Sequence, residues 1–236
     1  MSHLYHRAQL QLIKHPNFTR DQLYFDRAHV FAPFLQKARY LAWSKQNDKP
    51  KQKVCLQYAM WTLTASLSSQ FHMIRHELYT EARRLLDALE MESQDAFVKR
   101  TEQSQAWLLL TIYELVNDQF QRALVSAGRA FRLIQLIGLH EVDKQHPPAG
   151  IQGDWVDKES MRRTFWVAYT LDRFTSMVNG LPLTFDEPEV RRLEFSIHIF
   201  GAHRLLTFVL LPDRYPVTRS GLSLHKRKTH KYVLPI

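Results

Sequence analysis

Apolar side chains recur every three or four residues through most of positions 1–190 of this 236-residue chain. Residues with that spacing share one face of an α-helix, whereas a half-buried strand needs strict alternation. Alternation bounded by turn residues is scarce before residue 190, and the chain has only seven glycines to make such turns. The pattern therefore predicts an all-α fold, a bundle of seven or eight helices.

Capping and turn residues divide this pattern into separate helices. Thr19 and Gln22 are expected to form a capping box at one helix start. Pro33 is expected to open a second helix, because proline suits the first helical position. The apolar stripe of that second helix would contain Phe34, Leu35, Ala38, Leu41 and Ala42.

Later segments show how the helices should be arranged. Residues 54–67 carry apolar or small side chains on nearly every side, which predicts a central helix. Thr101 and Asp118 are expected to cap two helices that form an antiparallel hairpin. The last helix should run over about residues 158–179 and end at Gly180.

The positive charge is concentrated at one end of the chain. The formal net charge is +9, and residues 191–236 hold nine Lys or Arg against only Glu194 and Asp213. The preceding residues are nearly balanced in charge, so they exert no long-range attraction on phosphate. We therefore divide the chain into a helical domain, 1–190, and a basic, weakly structured, irregular tail, 191–236. Any DNA binding by this chain should be non-specific and come from the tail.

The basic run at 224–231 in this tail has two interpretations. It has the composition of a nuclear-import signal, but short basic runs also occur as solvated ends. A truncated gene model, lacking helices that would cover the core, is a further alternative for this end of the chain.

The residues that support most catalytic or metal chemistry are absent. The single cysteine, Cys55, excludes an internal disulfide and a cysteine-rich metal cluster, which favours a reducing compartment. His72 and His76 have metal-ligand spacing, but two ligands are too few, and Thr80 stands where a zinc-protease motif needs histidine. Glycine-rich phosphate loops and nucleophile elbows do not occur. No secretory signal or membrane span is expected. The sequence predicts no catalytic residue, no metal and no cofactor.

One segment combines charged, aromatic and turn residues in a specific order: an acid, two arginines, an aromatic pair, Asp-Arg, a serine and a Gly-x-Pro turn. In this chain they are Glu159, Arg162, Arg163, Phe165, Trp166, Asp172, Arg173, Ser176, Gly180 and Pro182. The segment resembles the most characteristic part of the fungal-specific transcription factor domain, the middle homology region of fungal zinc-cluster transcription factors. Upstream, Gly138-Leu139-His140 is similar to a helix end of that family, and Tyr24-Phe25, His29 and Pro33-Phe34-Leu35 to its opening. The resemblance covers roughly residues 18–190.

The resemblance implies a transcription regulator in the nucleus, with this helical domain controlling its activity. Its partners would be proteins of the transcription machinery or a second copy of the chain, and its targets metabolic or secondary-metabolite gene clusters. Members usually carry a six-cysteine zinc cluster that reads DNA, which this chain cannot build. An in-frame Cys-x2-Cys-x6-Cys pattern upstream would separate this interpretation from the alternatives. They are a helical enzyme and a tetratricopeptide-like scaffold, the latter suggested by Trp107, Leu110, Ala123, Ala127 and Ala130.

Asp172 is the exceptional residue of the motif. It falls on the same helix stripe as Met161, Phe165 and Ala168, so it should be buried, and a buried carboxylate needs a partner. The expected partner is an arginine: Arg129 or Arg132 from the preceding long helix, or Arg163 from a neighbouring turn. Glu159 should pair with Arg162 or Arg163 along the helix, and the aromatic residues should be core.

Overall fold

The computed structural model describes residues 20–91, 101–144, 146–148, 151 and 153–185, and this part of the chain forms seven α-helices and no strand. They are α1 (Arg20–Leu23), α2 (Lys37–Ser44), α3 (Lys51–Ser66), α4 (Arg75–Met91), α5 (Thr101–Val116), α6 (Phe120–Ile137) and α7 (Trp155–Asn179). Helix α1 continues into a π-helical turn at Tyr24–Ala28, and 3-10 turns lie at His72–Ile74 and Leu139–Glu141. The all-α prediction is confirmed. Thr19 and the tail, 191–236, lie outside the described residues.

Helices α3 and α5 lie at the centre of the bundle. Every residue of α5 from Gln103 to Leu115 is buried, and this helix packs against α3, α6 and α7. A helix whose apolar residues surround it on all sides belongs in such an enclosed position. Helix α3 is enclosed by α1, α4 and α5, as its sequence predicted. None of the described helices combines the length and hydropathy that a bilayer-crossing segment requires.

The prediction that a helix begins at Pro33 is wrong by four residues. Helix α2 begins at Lys37, and the side chain of Gln36 caps it by accepting the N–H of Arg39 at 2.7 Å. The proposed stripe through Ala38, Leu41 and Ala42 is exposed, while Tyr40 is buried.

Tertiary contacts explain this late start. The carbonyl of Pro33 accepts from Arg163 at 3.3 Å, and that of Phe34 from the Ser160 hydroxyl at 2.6 Å. The Leu35 carbonyl bonds to the His29 ring at 2.8 Å. An earlier helix would need these three carbonyls for its own first turn.

The expected hairpin forms between α5 and α6, but Asp118 does not occupy the cap position. Gln119 is the residue before α6, and Asp118 has a φ of 59°, in the left-handed region. This left-handed residue lies within the three-residue connection between the two helices, and Asp tolerates the conformation better than most residues. Helix α6 then ends at Gly138, whose φ of 80° and N–H bonds to the carbonyls of Ile134 and Gln135 form a left-handed cap.

Helix α7 begins earlier than predicted and ends where predicted. Asp154 caps it by accepting the N–H groups of Val156 and Asp157, and the Asp157 side chain accepts the Asp154 N–H in return. The helix runs 25 residues to Asn179 and is terminated by Gly180, with a φ of 63°. It packs on α5, α6 and the Leu139–Glu141 turn.

Candidate functional site around helix α7

Asp172 lies on the buried face of α7 with only 1% of its surface exposed. Its carboxylate accepts the backbone N–H of Thr184 at 2.9 Å and of Phe185 at 3.0 Å, and it receives the Arg173 guanidinium at 3.1 Å. Charge-assisted bonds of this kind are about twice as strong as neutral ones. The carboxylate therefore holds the chain that follows α7 back against the helix.

The partners predicted for Asp172 are wrong, although its predicted burial is observed. Arg129 pairs with Asp87 at 2.6 Å, Arg132 donates to Gln135 at 2.8 Å, and Arg163 binds Glu159 at 2.7 Å. The cation that reaches Asp172 is the adjacent Arg173. It can do so because the same nitrogen also donates to the Phe185 carbonyl at 3.0 Å, which draws it toward the returning chain.

The serine, glycine and proline of the motif shape this return of the chain. The N–H of Leu181 donates to the Ser176 carbonyl at 3.0 Å, and the Ser176 hydroxyl donates to the Pro182 carbonyl at 3.3 Å. Gly180 supplies the left-handed residue that starts the turn. Together with Asp172 and Arg173, these residues close the C-terminal end of α7.

The return places Phe185 in the core. This side chain is fully buried, with its ring edge-to-face against Phe131 of α6 at 5.3 Å and Phe165 of α7 at 5.4 Å. Phe165 is itself fully buried, and Trp166 is 7% exposed, so both motif aromatics are core residues. The C-terminal half of the motif thus supports packing.

The other half of the motif is a charge cluster at the start of α7. Glu159 accepts from Arg162 and, at 2.7 Å, from Arg163, and Arg162 also donates to Asp143 at 3.0 Å. Burial opposes ionisation of Glu159, but the bonds from the two arginines outweigh it and hold the pKa of Glu159 below its usual value. The bonds to Asp143 raise the pKa of Arg162. This cluster ties α7 to the loop that follows α6.

A cleft of about 400 Å³ opens between the start of α7 and the segment that precedes α2. Its α7 side includes Trp155, Glu159 and Arg163, and its other side includes Phe25 and His29. Two bonds from α7, Arg163 to Pro33 and Ser160 to Phe34, join its sides. Arg39 of α2 also pairs with Asp154 and Asp157 at the start of α7.

Sequence reasoning missed this cleft, although its residues stood out in the sequence. The resemblance included Phe25, His29 and the Pro33–Leu35 segment at one end of the chain, and Glu159 and Arg163 at the other. Nothing in a single sequence shows that residues about 126 positions apart meet, as Ser160 and Phe34 do.

The pKa of His29, inside the cleft, is lowered. Burial is the largest cause; the hydrogen bond to Leu35 opposes it, while the cations Arg163 and Lys37 act with it. The Leu35 carbonyl can only accept, so Nε2 carries the hydrogen of the neutral ring. His29 is therefore a neutral donor near pH 7.

The histidine pair considered for metal binding stands apart from this site. The His72 ring contacts the Arg75 guanidinium, and the His76 ring lies 6.5 Å from that of Tyr79. The described residues contain no group of three His, Cys, Asp or Glu that could hold a metal ion. Cys55 is fully buried in the core.

The chain is similar in sequence to a known protein family and to several known transcription regulators. Residues 22–191 match the family described as the fungal specific transcription factor domain. A pigment biosynthesis transcriptional activator of Monascus ruber is 48% identical over 72% of this chain, which is 32% of that protein. The ascochitine biosynthesis cluster transcriptional regulator of Didymella fabae is 44% identical over 71% of this chain and 29% of its own length. A citrinin biosynthesis transcriptional activator of Monascus purpureus is 42% identical over 71% of this chain and 29% of its own length.

The coverage of these relatives is partial. The chain spans about a third of the length of the curated relatives it matches. No solved structure matches the chain.

Proposed function

This chain belongs to the fungal specific transcription factor domain family, and from that premise we propose that it is the regulatory part of a transcription regulator that controls a biosynthetic gene cluster. The family match over residues 22–191 is the observation that carries the proposal. It confirms the resemblance seen in the sequence. It also supports the prediction of a regulator, because the family and the relatives are transcription factors and not enzymes.

The relatives support the proposed class of target genes. Their names assign them to pigment, ascochitine and citrinin biosynthesis. The match also favours a regulator over the tetratricopeptide-like scaffold, since the family covers both helices of the α5–α6 hairpin on which that alternative rested.

The contacts of helix α7 support a structural role for the family motif within this regulator. Helix α7 holds the loop after α6 through Arg162, the turn before α2 through Ser160 and Arg163, and the returning chain through Asp172. One helix therefore contacts three separate segments. In the proposed regulator, a change at one of these segments reaches the others through this helix.

The proposal extends to location and partners. A regulator of this family acts in the nucleus, and its partners would be proteins of the transcription machinery or a second copy of the chain. This chain would contact DNA only indirectly or without sequence preference. A gel-shift assay should show weak complexes that weaken steeply with salt and compete equally with scrambled duplex. A strong preference for one duplex at physiological salt would contradict this part of the proposal.

The regulatory role can be tested in the source fungus. Deleting the gene should change the transcripts of one biosynthetic gene cluster, and reintroducing it should restore them. Complementation with Asp87→Ala should also succeed, because that carboxylate is 52% exposed, whereas Asp172→Ala should fail. Unchanged transcripts after deletion, under conditions in which the gene is expressed, would refute the proposal.

A further inference from the structure

The cleft beside α7 has the size and the walls of a site for a small molecule. Its volume of about 400 Å³ lies within the range of roughly 300–1,000 Å³ typical of ligand pockets. Two aromatic side chains with solvent-exposed surface line it, Phe25 and Trp155, whereas Phe34, which also borders the cleft, is buried with 1% of its surface exposed. Trp155 is 72% exposed, an unusual position for so large an apolar surface. Aromatic walls of this kind favour a flat ring.

Two cations, Lys37 and Arg163, line the cleft. Arg163 and Lys37 are the charged groups that act on His29, and both disfavour its protonation. Lys37 lies with its ammonium 5.6 Å from the Phe25 ring centroid, and the ion pairs of the described residues do not include it. Of the two acids that line the cleft, Glu159 pairs with Arg162 and Arg163, and Asp26 is exposed to solvent.

Most other polar groups in the cleft already have partners within the protein. Ser160 donates to Phe34, the Gln36 side chain accepts from Arg39, and His29 bonds to Leu35. The cleft therefore presents aromatic faces and a cation, and a ligand must match both features.

We propose that this cleft binds a small aromatic carboxylate. The ring lies between Phe25 and Trp155, and the carboxylate faces Lys37. Bound there, the ligand bridges α7 and the segment before α2. Its use as an effector rests on the proposed regulatory function, but the binding itself does not.

Fluorine NMR of the full chain labelled with 5-fluorotryptophan tests the site directly. The chain has five tryptophans, and Trp155→Phe identifies the Trp155 signal. Titration with 2-naphthoate should shift this signal to saturation and leave that of the buried Trp107 in place. The neutral isostere 2-naphthamide should bind about threefold more weakly or worse, the effect expected from losing one partly exposed ion pair.

Two lysines of the same region provide a matched pair of variants. Lys37→Gln should weaken 2-naphthoate binding by about threefold or more, whereas Lys45→Gln, at the exposed far end of α2, should leave it unchanged. Unchanged melting temperatures would show that both variants fold. The proposal is overturned if the Trp155 signal does not saturate, if 2-naphthamide binds as well as 2-naphthoate, or if the two lysine variants behave alike. None of these outcomes depends on the transcript measurements, so the two proposals fail separately.

Discussion

A single carboxylate can organise backbone twelve residues away, as Asp172 does with Thr184. Asp172→Ala leaves the N–H groups of Thr184 and Phe185 without their acceptor and removes the charge that holds Arg173. We expect a loss of about 3–5 kcal/mol in the free energy of unfolding, the usual effect of breaking a buried charged contact. Denaturant titration measures it. The control Asp87→Ala removes a 52% exposed carboxylate paired with Arg129 and should cost less than about 1 kcal/mol. Equal losses in the two variants would mean that the Asp172 contacts contribute nothing beyond a surface pair.

Arg83 and Arg84 are neighbours in α4 but stand in opposite environments. Arg83 donates to Glu114 at 2.7 Å, and Glu114 has no exposed surface. Arg84 is 62% exposed and pairs with Glu81 one turn away. Tyr79 also donates to Glu114, at 2.6 Å, and burial followed by this bond raises the pKa of Tyr79.

The two arginines should therefore respond differently to the same substitution. Arg83→Met strands the buried Glu114 carboxylate without a cation, and we expect a loss of about 3–5 kcal/mol in unfolding free energy. Arg84→Met should change it by no more than about 0.5 kcal/mol, the value of an exposed helical pair. Thermal and denaturant unfolding of both variants measure these two changes in unfolding free energy. A mild effect of Arg83→Met would show that water or a rearranged neighbour can satisfy Glu114.

At the scale of the helix, two glycines show that helix propensity and backbone conformation have different effects on stability. Gly128 lies on the exposed side of α6, with open space where a Cβ would be added. Gly180 also has open space around it. Its φ of 63°, however, is one that residues with a Cβ adopt only at a cost in free energy. Gly128→Ala should stabilise the protein by about 0.5–1 kcal/mol.

The same substitution at the end of α7 should have the opposite sign. Gly180→Ala should destabilise by about 1 kcal/mol, because a left-handed residue is needed where the chain turns back toward Asp172. Paired measurements of unfolding free energy compare the two variants under one condition. If both stabilise, the left-handed turn after α7 does not constrain the chain.

Helices with local start and stop signals could be predicted from the sequence, and those set by distant contacts could not. The end of α7 at Gly180 and the pairing of α5 with α6 follow from capping residues and short connections. The start of α2 depends on Ser160 and Arg163, which take the carbonyls of Phe34 and Pro33 from far along the chain. The local sequence does not reveal that distant side chains compete for these carbonyls.

The candidate site also has parts that could be predicted from the sequence and parts that could not. The helical stripe was enough to predict that Asp172 is buried, because periodicity determines which face a residue occupies. Its partners were not predictable, because two of them are backbone amides, at Thr184 and Phe185, that any sequence could supply. The cleft at Trp155 was not predictable either, since it exists only through the meeting of the two ends of the domain.

At the scale of the whole molecule, the end of the described chain leaves apolar side chains open to solvent. Met177, Val178, Leu181 and Leu183 are 69%, 47%, 45% and 45% exposed. These residues flank the turn at Gly180, and Phe185 is the last described residue. An apolar surface of this kind is a site of association where no other residues cover it. A test of the basic tail must therefore measure the stability of the domain as well as the effect of the tail's charge.

The boundary at residue 190 remains a prediction, and truncation tests it. The family match ends at residue 191, and the residues beyond it carry most of the net positive charge and few acids to pair with it. Deleting residues 191–236 should therefore cost little stability. We expect the melting temperature to change by less than about 2 °C, because the melting temperature of a domain of this size shifts by roughly 2–4 °C per kcal/mol of unfolding free energy. Asp172→Ala, measured in the same assay, shows the size of a real loss. A drop in the truncated protein comparable to that of Asp172→Ala would mean that the tail packs on the fold, and the surface around Met177 and Leu183 would be the first place to look for the contact.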